Sequence, residues 1–262
     1  MPTNNNMLTK SQISLIRSLE MKKFRRREML FVAEGEKIVA ECLFSKAPIY
    51  WLIAPREWMA ANPINNDFRV FVIDNKLMKS ISMLSTPSQV MAVVRIQETV
   101  KPEYNSESLY LALDNIQDPG NMGTILRIAD WFGIGHVICS ENCVDVHNTK
   151  VIQASMGAFL RVAVHYNNLT DELLRYREQT ALPVYGTFCD GDNIYNTDLS
   201  RGAMVVMGNE GSGIALENEK IINRRISIPA FSDEGAHAES LNVSVATGIV
   251  CAEFRRRVHT SS

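Results

Sequence analysis

Arg127 is a lone charge in a predicted helix that is otherwise apolar. It closes the segment 114–127, Asp-Asn-Ile-Gln-Asp-Pro-Gly-Asn-Met-Gly-Thr-Ile-Leu-Arg, directly after Ile125 and Leu126. A guanidinium in such surroundings needs a partner, for example a phosphate or a carboxylate. Asn121, six residues earlier, adds an amide to the same helix. The segment could therefore hold an anionic substrate, although an ordinary arginine pointing outward would also fit.

A second segment, 207–214, reads Met-Gly-Asn-Glu-Gly-Ser-Gly-Ile. Its glycines Gly208, Gly211 and Gly213 allow tight turns and let the backbone approach a ligand closely. Their spacing, Gly-x-x-Gly-x-Gly, is neither that of a P-loop nor that of a dinucleotide-binding loop. Glu210 is the one acid of the segment and could align a hydroxyl or pair with Arg127. The alternative is a carboxylate that is simply solvated.

A third segment combines Ile228-Pro229 with the run 240–249, Ser-Leu-Asn-Val-Ser-Val-Ala-Thr-Gly-Ile. Ser240 or Asn242 can cap the helix that follows, and the first N–H groups of that helix would be exposed for a ligand. Taken alone, the segment is equally compatible with a capped and tightly packed helix.

Strand-like and helix-like patterns alternate along the chain and place these segments in an α/β fold. Asn121 is expected to cap the helix 121–132, Pro119-Gly120 to form the turn before it, and Gly133 to stop it. Such alternation predicts a mainly parallel sheet with both faces covered. The predicted C-terminal strands are 109–113, 136–139, 183–187, 203–207 and 226–229, and the further helices are 149–158 and 241–257. Before them, helical patterns around Ile16 and Ile38 and apolar runs at 49–53, 70–73 and 90–94 predict a smaller α/β domain that ends near Ile96.

Charge and cysteine usage restrict the function classes. The net charge of −2 does not announce a nucleic-acid partner, but residues 1–30 carry an excess of five positive charges that can follow a phosphate backbone. That excess comes from Lys10, Arg17, Lys22, Lys23, Arg25, Arg26 and Arg27 against Glu20 and Glu28. A second cluster, Arg255-Arg256-Arg257, is expected to be a solvated helix face.

The five scattered cysteines indicate reduced thiols and a cytoplasmic protein. Cys139 and Cys143, with His136 and His147 nearby, invite a zinc interpretation, but the spacing lacks a Cys-x-x-Cys pair. No metal site is therefore expected. The polar beginning of the chain predicts no signal peptide, and no run approaches the ~20 apolar residues of a membrane span.

The three segments, in this order, resemble the motifs of the SpoU (TrmH-like) branch of the SPOUT methyltransferases over residues 109–257. The resemblance implies transfer of a methyl group from S-adenosylmethionine to a ribose 2′-hydroxyl of RNA by a homodimer. It also implies a C-terminal SPOUT domain whose parallel sheet carries a deep trefoil knot. By motif position, the catalytic set is Arg127, Asn121, Glu210, Ser240 and Asn242, and the cofactor contacts are Gly208, Ile228 and Leu241. In the family, the segment between Pro229 and Ser240 is commonly shorter and contains glycine; here it is acidic.

Residues 1–96 resemble the L30e-like substrate-binding domain of many SpoU enzymes. The resemblance lies in segments 31–39 and 90–94, which match the usual pattern of that domain. The implied organisation is thus a substrate-binding domain (1–96), a linker (97–107) and a methyltransferase domain (108–262). The extra domain favours ribosomal RNA over transfer RNA as the substrate. Two other classes stay open: a non-catalytic RNA-binding or ribosome-assembly protein on the same fold, and a nucleotide-dependent oxidoreductase, which the missing Gly-x-Gly-x-x-Gly after 109–113 disfavours.

Overall fold

The computed structural model describes residues 7–64, 67–231 and 240–259, with side chains up to residue 257. The chain divides into two compact units. The first consists of the chain up to Glu98 together with Asp145–Leu160, and the second of Thr99–Val144 and the chain from Arg161 onward.

Helices and strands follow one another closely in both units. The elements before Glu98 are α1 (Lys10–Ser18), α2 (Lys22–Glu28), β1 (Leu30–Glu34), α3 (Glu36–Phe44), β2 (Ile49–Ala54), α4 (Arg56–Ala61), β3 (Arg69–Val72), α5 (Asn75–Ile81) and β4 (Met91–Arg95). Those after it are β5 (Leu109–Leu113), α6 (Pro119–Trp131), β6 (His136–Ser140), α7 (Thr149–Ser155), a 3₁₀ turn (Ala158–Leu160), β7 (Ala163–Asn167), α8 (Leu169–Thr180), β8 (Val184–Asn193), β9 (Ala203–Met207), α9 (Leu216–Glu219), β10 (Arg224–Ser227) and α10 (Val243–His259).

The first unit is built on a four-stranded sheet in the order β1-β4-β2-β3. Strand β4 is antiparallel to both β1 and β2, whereas β2 and β3 are parallel. Apolar side chains of one face, among them Ile53, Phe71 and Val93, pack against Ile16 of α1. The smaller N-terminal α/β domain expected from the sequence is therefore present.

Helix α7 belongs to this first unit, although the sequence assigned its residues to the methyltransferase domain. Gln153 donates its side-chain amide to the backbone oxygen of Glu34 at 2.5 Å. Arg25 of α2 is buried and pairs with Asp145 through Nε at 2.9 Å and through Nη2. Burial alone would raise the pKa of Asp145, but hydrogen bonds from His147 and Arg25 and the charge of Arg25 hold it well below the usual range.

The second unit contains a six-stranded sheet in the order β10-β8-β9-β5-β6-β7, and every pair in it is parallel. Leu169, Leu173 and Tyr176 of α8 cover one face of this sheet. Helices α6 and α10 pack against each other, and Phe254 of α10 meets Tyr185 of β8 edge to face at 5.1 Å. The predicted parallel sheet with helices on both faces is confirmed.

Some local predictions are corrected by the structure. Helix α6 begins at Pro119, so Pro119 and Gly120 form its first turn rather than a turn before it. Asp118, not Asn121, is the N-cap, and its carboxylate accepts the N–H of Asn121 at 2.8 Å. A proline at the first helical position loses no hydrogen bond, since that N–H has no partner inside the helix.

The sequence patterns also did not predict strands β1 and β7, nor helices α2, α4, α5, α8 and α9. Strand β8 runs from Val184 to Asn193, well beyond the predicted 183–187. No helix within the described residues is long and apolar enough to cross a membrane.

Candidate active site

Three of the predicted catalytic side chains meet where α6, the loop after β9 and the start of α10 come together. One carboxylate oxygen of Glu210, Oε1, accepts hydrogen bonds from Asn242 Nδ2 at 2.6 Å, Asn121 Nδ2 at 3.2 Å and the backbone N–H of Val243 at 3.0 Å. Asn242 Nδ2 also donates to Asn121 Oδ1 at 2.9 Å. These residues, Asn121, Glu210 and Asn242, are called the polar cluster below.

Asn242 has a second task at the start of α10. Its Oδ1 accepts the N–H of Ser244 at 3.1 Å and the Ser244 hydroxyl at 2.6 Å, and the N–H of Val245 approaches at 3.4 Å. A residue that caps a helix with Oδ1 has only its Nδ2 left for other partners. Because Oδ1 is held by the helix cap, Asn242 presents its Nδ2 to Glu210. The sequence allowed either Ser240 or Asn242 as the cap of this helix, and in the described residues the capping side chain is that of Asn242.

Arg127 lies outside the polar cluster. It is exposed on α6, and its side chain makes no hydrogen bond or ion pair with any residue that the structure describes. The predicted pairing of Glu210 with Arg127 is thus not made, since the Glu210 carboxylate takes amide and backbone donors instead. Because a guanidinium carries five donors, Arg127 presents a full set of them to an incoming ligand.

Asn209 organises the glycine-rich loop, a role that the sequence analysis did not assign. Its Oδ1 accepts the N–H groups of Gly211 at 2.9 Å and Ser212 at 3.1 Å, and its Nδ2 donates to the backbone oxygen of Asn115 at 2.9 Å. Its backbone pairs with Gly213 in both directions. An asparagine directly after a buried strand is a common loop-forming residue, so the signal was present in the sequence.

A cavity of about 650 Å³ opens beside this loop at the carboxyl ends of β9 and β10. All three predicted cofactor residues, Gly208, Ile228 and Leu241, line it, as do Glu210 and Ser240 of the predicted catalytic set. Asn121, Asn242 and Arg127 are not among its lining residues. Its remaining walls include Ile214 and Ala246 of the predicted segments, and also Phe188, Ile194, Ile226 and Val250, which lie outside those segments.

The cavity has the properties that S-adenosylmethionine requires. Its volume lies within the range of about 300–1,000 Å³ of ligand pockets, and apolar side chains and loop backbone form its wall. A Cβ added at Gly208 would lie 2.5 Å from the carbonyl carbon of Gly213, so only glycine fits this close approach. Residues 232–239 of the acidic segment before Ser240 lie outside the described residues.

Of the cysteine and histidine residues considered for zinc, Cys139 and Cys143 contact each other, whereas His136 pairs with a different histidine. His136 Nδ1 contacts His165 Nε2 at 3.1 Å, and Cys143 Sγ lies 3.3 Å from the Leu113 backbone oxygen. The hydrogen bond with Cys139 lowers the pKa of Cys143 to about 7, against the opposing effect of burial. Across the described part of the chain, no group of three or more His, Cys, Asp or Glu residues could hold a metal ion.

The C-terminal arginines form internal contacts, so the predicted solvated helix face holds for the exposed Arg256 but not for the half-buried Arg255 and Arg257. Arg255 Nε donates to the backbone oxygen of Phe132, the C-cap of α6, at 2.8 Å. Arg256 and Arg257 both bond the buried carboxylate of Glu253. A basic side chain at a helix C-terminus is favourable because the helix dipole is negative there.

Two family models match the chain. The model of the SpoU rRNA Methylase family matches residues 108–252, which is more than half of the chain. The model of the MRM3-like substrate binding domain matches residues 10–92. A Bacillus subtilis relative, 23S rRNA (guanosine(2553)-2′-O)-methyltransferase RlmP, is 27% identical over 91% of this chain and 94% of its own length.

Solved structures agree over almost the whole chain. A TrmH-family protein from Porphyromonas gingivalis is 42% identical and covers 96% of this chain and 99% of its own, with a TM-score of 0.85. The AdoMet-bound rRNA methyltransferase from Sinorhizobium meliloti is 29% identical over 96% of each chain, with a TM-score of 0.81. By sequence and by structure, the chain belongs to the SpoU rRNA methylase family.

Proposed function

We propose that this protein transfers the methyl group of S-adenosylmethionine to a ribose 2′-hydroxyl of ribosomal RNA. The observation that carries the proposal is the polar cluster beside a cavity lined by Gly208, Ile228 and Leu241. Family membership and the AdoMet-bound relative support the cofactor. The match to a substrate-binding domain and the 23S rRNA relative support ribosomal over transfer RNA.

The residues are assigned to positioning rather than to bond making. S-adenosylmethionine supplies an activated methyl group with its own leaving group, so the protein must chiefly align the attacking oxygen. We assign Arg127 to the substrate phosphate and hydroxyl, because its exposed guanidinium has no partner among the described residues. A guanidinium stays protonated in proteins and is therefore a poor base, so a substrate phosphate would have to assist removal of the proton.

Glu210 and Asn242 are assigned to holding the site in shape. Glu210 Oε1 is saturated by three donors, whereas its Oε2 has no hydrogen-bond partner among the described residues. That oxygen, on the side chain that lines the cavity, is free to accept the substrate hydroxyl. Ser240 lines the same cavity as Glu210, and we assign it to the same part of the site.

We propose that the protein is a homodimer that pairs through the surface formed by α6 and α10. Two large apolar side chains lie exposed on these packed helices, Trp131 at 86% and Val245 at 52%, and Leu241 just before α10 is 48% exposed. Apolar surface of this kind marks interaction sites. Light scattering after chromatography should give twice the chain mass for the wild type, and the mass of one chain for Trp131→Glu. A wild-type protein of single-chain mass would exclude the dimer.

The trefoil knot, the cytoplasmic location and the domain limits 1–96, 97–107 and 108–262 complete the proposal, although Asp145–Leu160 of the last domain belongs to the first compact unit. The knot and the limits rest on the resemblance of the motifs, and the location on the bacterial rRNA methyltransferases among the relatives.

The deciding experiment is methyl transfer from radiolabelled S-adenosylmethionine to unmodified total RNA, separated into ribosomal and transfer fractions. We expect label in ribosomal RNA, recovered as a 2′-O-methyl nucleoside. Label in transfer RNA alone would change the substrate class. Cofactor binding without label would indicate an assembly intermediate as the substrate. Absence of both binding and label would favour the non-catalytic alternative.

A further inference from the structure

Strand β8 is interrupted by a bulge next to the cavity. On β10, Arg225 pairs with Gly186 of β8, and the next residue, Ile226, pairs with Asp192. The intervening residues 187–191 are called the β8 bulge below. Bulges are frequent beside active sites, where they redirect side chains. This bulge supplies part of the cavity wall through Thr187, Phe188 and Cys189.

Phe188 is the large apolar side chain of the β8 bulge. Its ring is half-buried and packs against the core cluster that includes Val206 and Ile214. A Cβ added at Gly186 would lie 2.7 Å from Phe188 Cε2, so a side chain at position 186 would push the ring out of its place. The ring therefore occupies a defined position in a cavity wall that is largely apolar.

Arg225 of β10 contacts the β8 bulge at two points. Its guanidinium carbon lies 3.5 Å from the centroid of the Phe188 ring, and its Nη2 donates to Asp190 Oδ1 at 2.6 Å. Its Nη1 donates to Glu219 Oε1 at 2.5 Å. Glu219 is the last residue of α9, the helix that follows the glycine-rich loop. One side chain therefore connects the bulge to the helix next to that loop.

These contacts depend on the shape of the arginine side chain. A planar guanidinium can stack on a ring with its face while its edge donates to two carboxylates, whereas a lysine ammonium is a point charge and cannot do both. The side chains of Arg225 and Asp190 are 39% and 77% exposed, so their ion pair adds little to the free energy of unfolding. What the contacts determine is the position of the bulge.

We propose that Arg225 is a positioning residue of the cofactor site, which holds the β8 bulge so that Phe188 forms the cavity wall. Arg225 is not among the described residues that line the cavity, so it acts through Phe188 and not by contact with the cofactor. Without Arg225 the bulge can shift, and the cofactor loses the apolar surface of the ring. The inference rests on the proposed function, since it takes S-adenosylmethionine as the ligand of the cavity.

The test is the affinity of the full chain for S-adenosylhomocysteine, measured by calorimetry without RNA. Arg225→Ala should raise the Kd about tenfold, which is the scale of a cation–π contact. In methyl transfer, it should raise the KM for S-adenosylmethionine by a similar factor and leave kcat unchanged, because only binding of the cofactor is weakened. Arg224→Ala, at the exposed neighbouring position of β10, is the matched control and should change none of these values.

A double substitution tests whether Arg225 acts through Phe188. Phe188→Leu should itself weaken binding, and adding Arg225→Ala to it should change the Kd less than about twofold, because the contact that couples the two residues is already lost. Amide hydrogen exchange of residues 187–191 in the ligand-free protein should be faster in Arg225→Ala than in the wild type. Arg225→Gln is the second variant in case Arg225→Ala does not fold, and it should give the same results.

A wild-type Kd in the Arg225 variants would overturn the positioning role and leave the proposed methyl transfer untouched. Effects of Phe188→Leu and Arg225→Ala that simply multiply, or unchanged hydrogen exchange of the bulge, would overturn it as well. Failure of the wild type to bind S-adenosylhomocysteine would refute the proposed function and the inference together. Conversely, weaker binding by Arg225→Ala in a protein that methylates no RNA would refute the proposed function and leave the role of Arg225 standing.

Discussion

Replacing Glu210 by alanine should damage both the stability of the catalytic unit and its activity. The substitution removes the one oxygen that accepts three donors, Asn121 Nδ2, Asn242 Nδ2 and the Val243 N–H. The two amides lie near the surface and can turn to water. Val243 is 5% exposed, and its N–H would lose its partner.

The magnitude follows from that one buried donor. Leaving it unpaired costs about 1–3 kcal/mol in the free energy of unfolding. For a unit of this size the cost corresponds to a fall of roughly 5 °C in Tm. The effect on methyl transfer should be larger, about 100-fold in kcat, because a displacement of the start of α10 moves the groups that align the hydroxyl.

Thermal unfolding by circular dichroism and the methyl-transfer rate are the measurements. Glu178→Ala is the matched control, since Glu178 is an exposed acid on α8 without a partner among the described residues. It should leave Tm and rate unchanged. If Glu210→Ala had the same Tm and the same methyl-transfer rate as this control, the polar cluster would contribute to neither stability nor activity, and the reasoning would be refuted.

Three further predictions concern substitutions of single residues. Arg127→Ala should lower methyl transfer at least about 100-fold while the Kd for S-adenosylmethionine and the Tm stay unchanged, since Arg127 is exposed and makes no described contact; an equal loss of cofactor binding would count against its assignment to substrate. Gly208→Ala should weaken cofactor binding at least about tenfold, as its Cβ would meet the Gly213 carbonyl carbon at 2.5 Å; Gly211→Ala, where the nearest atom is 3.6 Å away, should bind normally in the same titration. Arg25→Ala should destabilise the first unit by about 3 kcal/mol, because the buried Asp145 loses its partner. The depressed pKa of Asp145 means that its contribution is present above an unfolded-state pKa of about 3.9 and is lost as the pH falls below it. Wild-type stability should therefore drop more steeply than that of Arg25→Ala in urea titrations at acidic pH, and parallel curves would contradict this.

The strands and the site loops could be predicted because short-range patterns encode them. The apolar runs at 109–113 and 203–207 became β5 and β9 with those limits. Helix α8 could also have been found: Leu169, Leu173 and Tyr176 recur at helical spacing, and Asn168 caps the helix. The many charged residues of α8 made this apolar face hard to recognise in the sequence.

The contacts of the site could not be predicted in the same way. Glu210 bonds residues 89 positions before it and 32 and 33 positions after it, and no local pattern selects such partners. Similarly, Arg25 is one of several basic residues in a row, and only the fold shows that it turns inward to Asp145. Arg25 is therefore not available to a phosphate backbone, although the sequence analysis counted it with the other basic residues of 1–30.

The position of Asn242 in the chain has a consequence for biosynthesis. Two of the three donors on Glu210 Oε1 come from residues 242 and 243, and the cavity wall is completed by Leu241, Ala246 and Val250. A nascent chain that has not been extended past these residues has its substrate-binding unit and its central strands but lacks a finished site. We therefore expect activity only in chains that extend through Val250, since a shorter chain lacks part of the cavity wall.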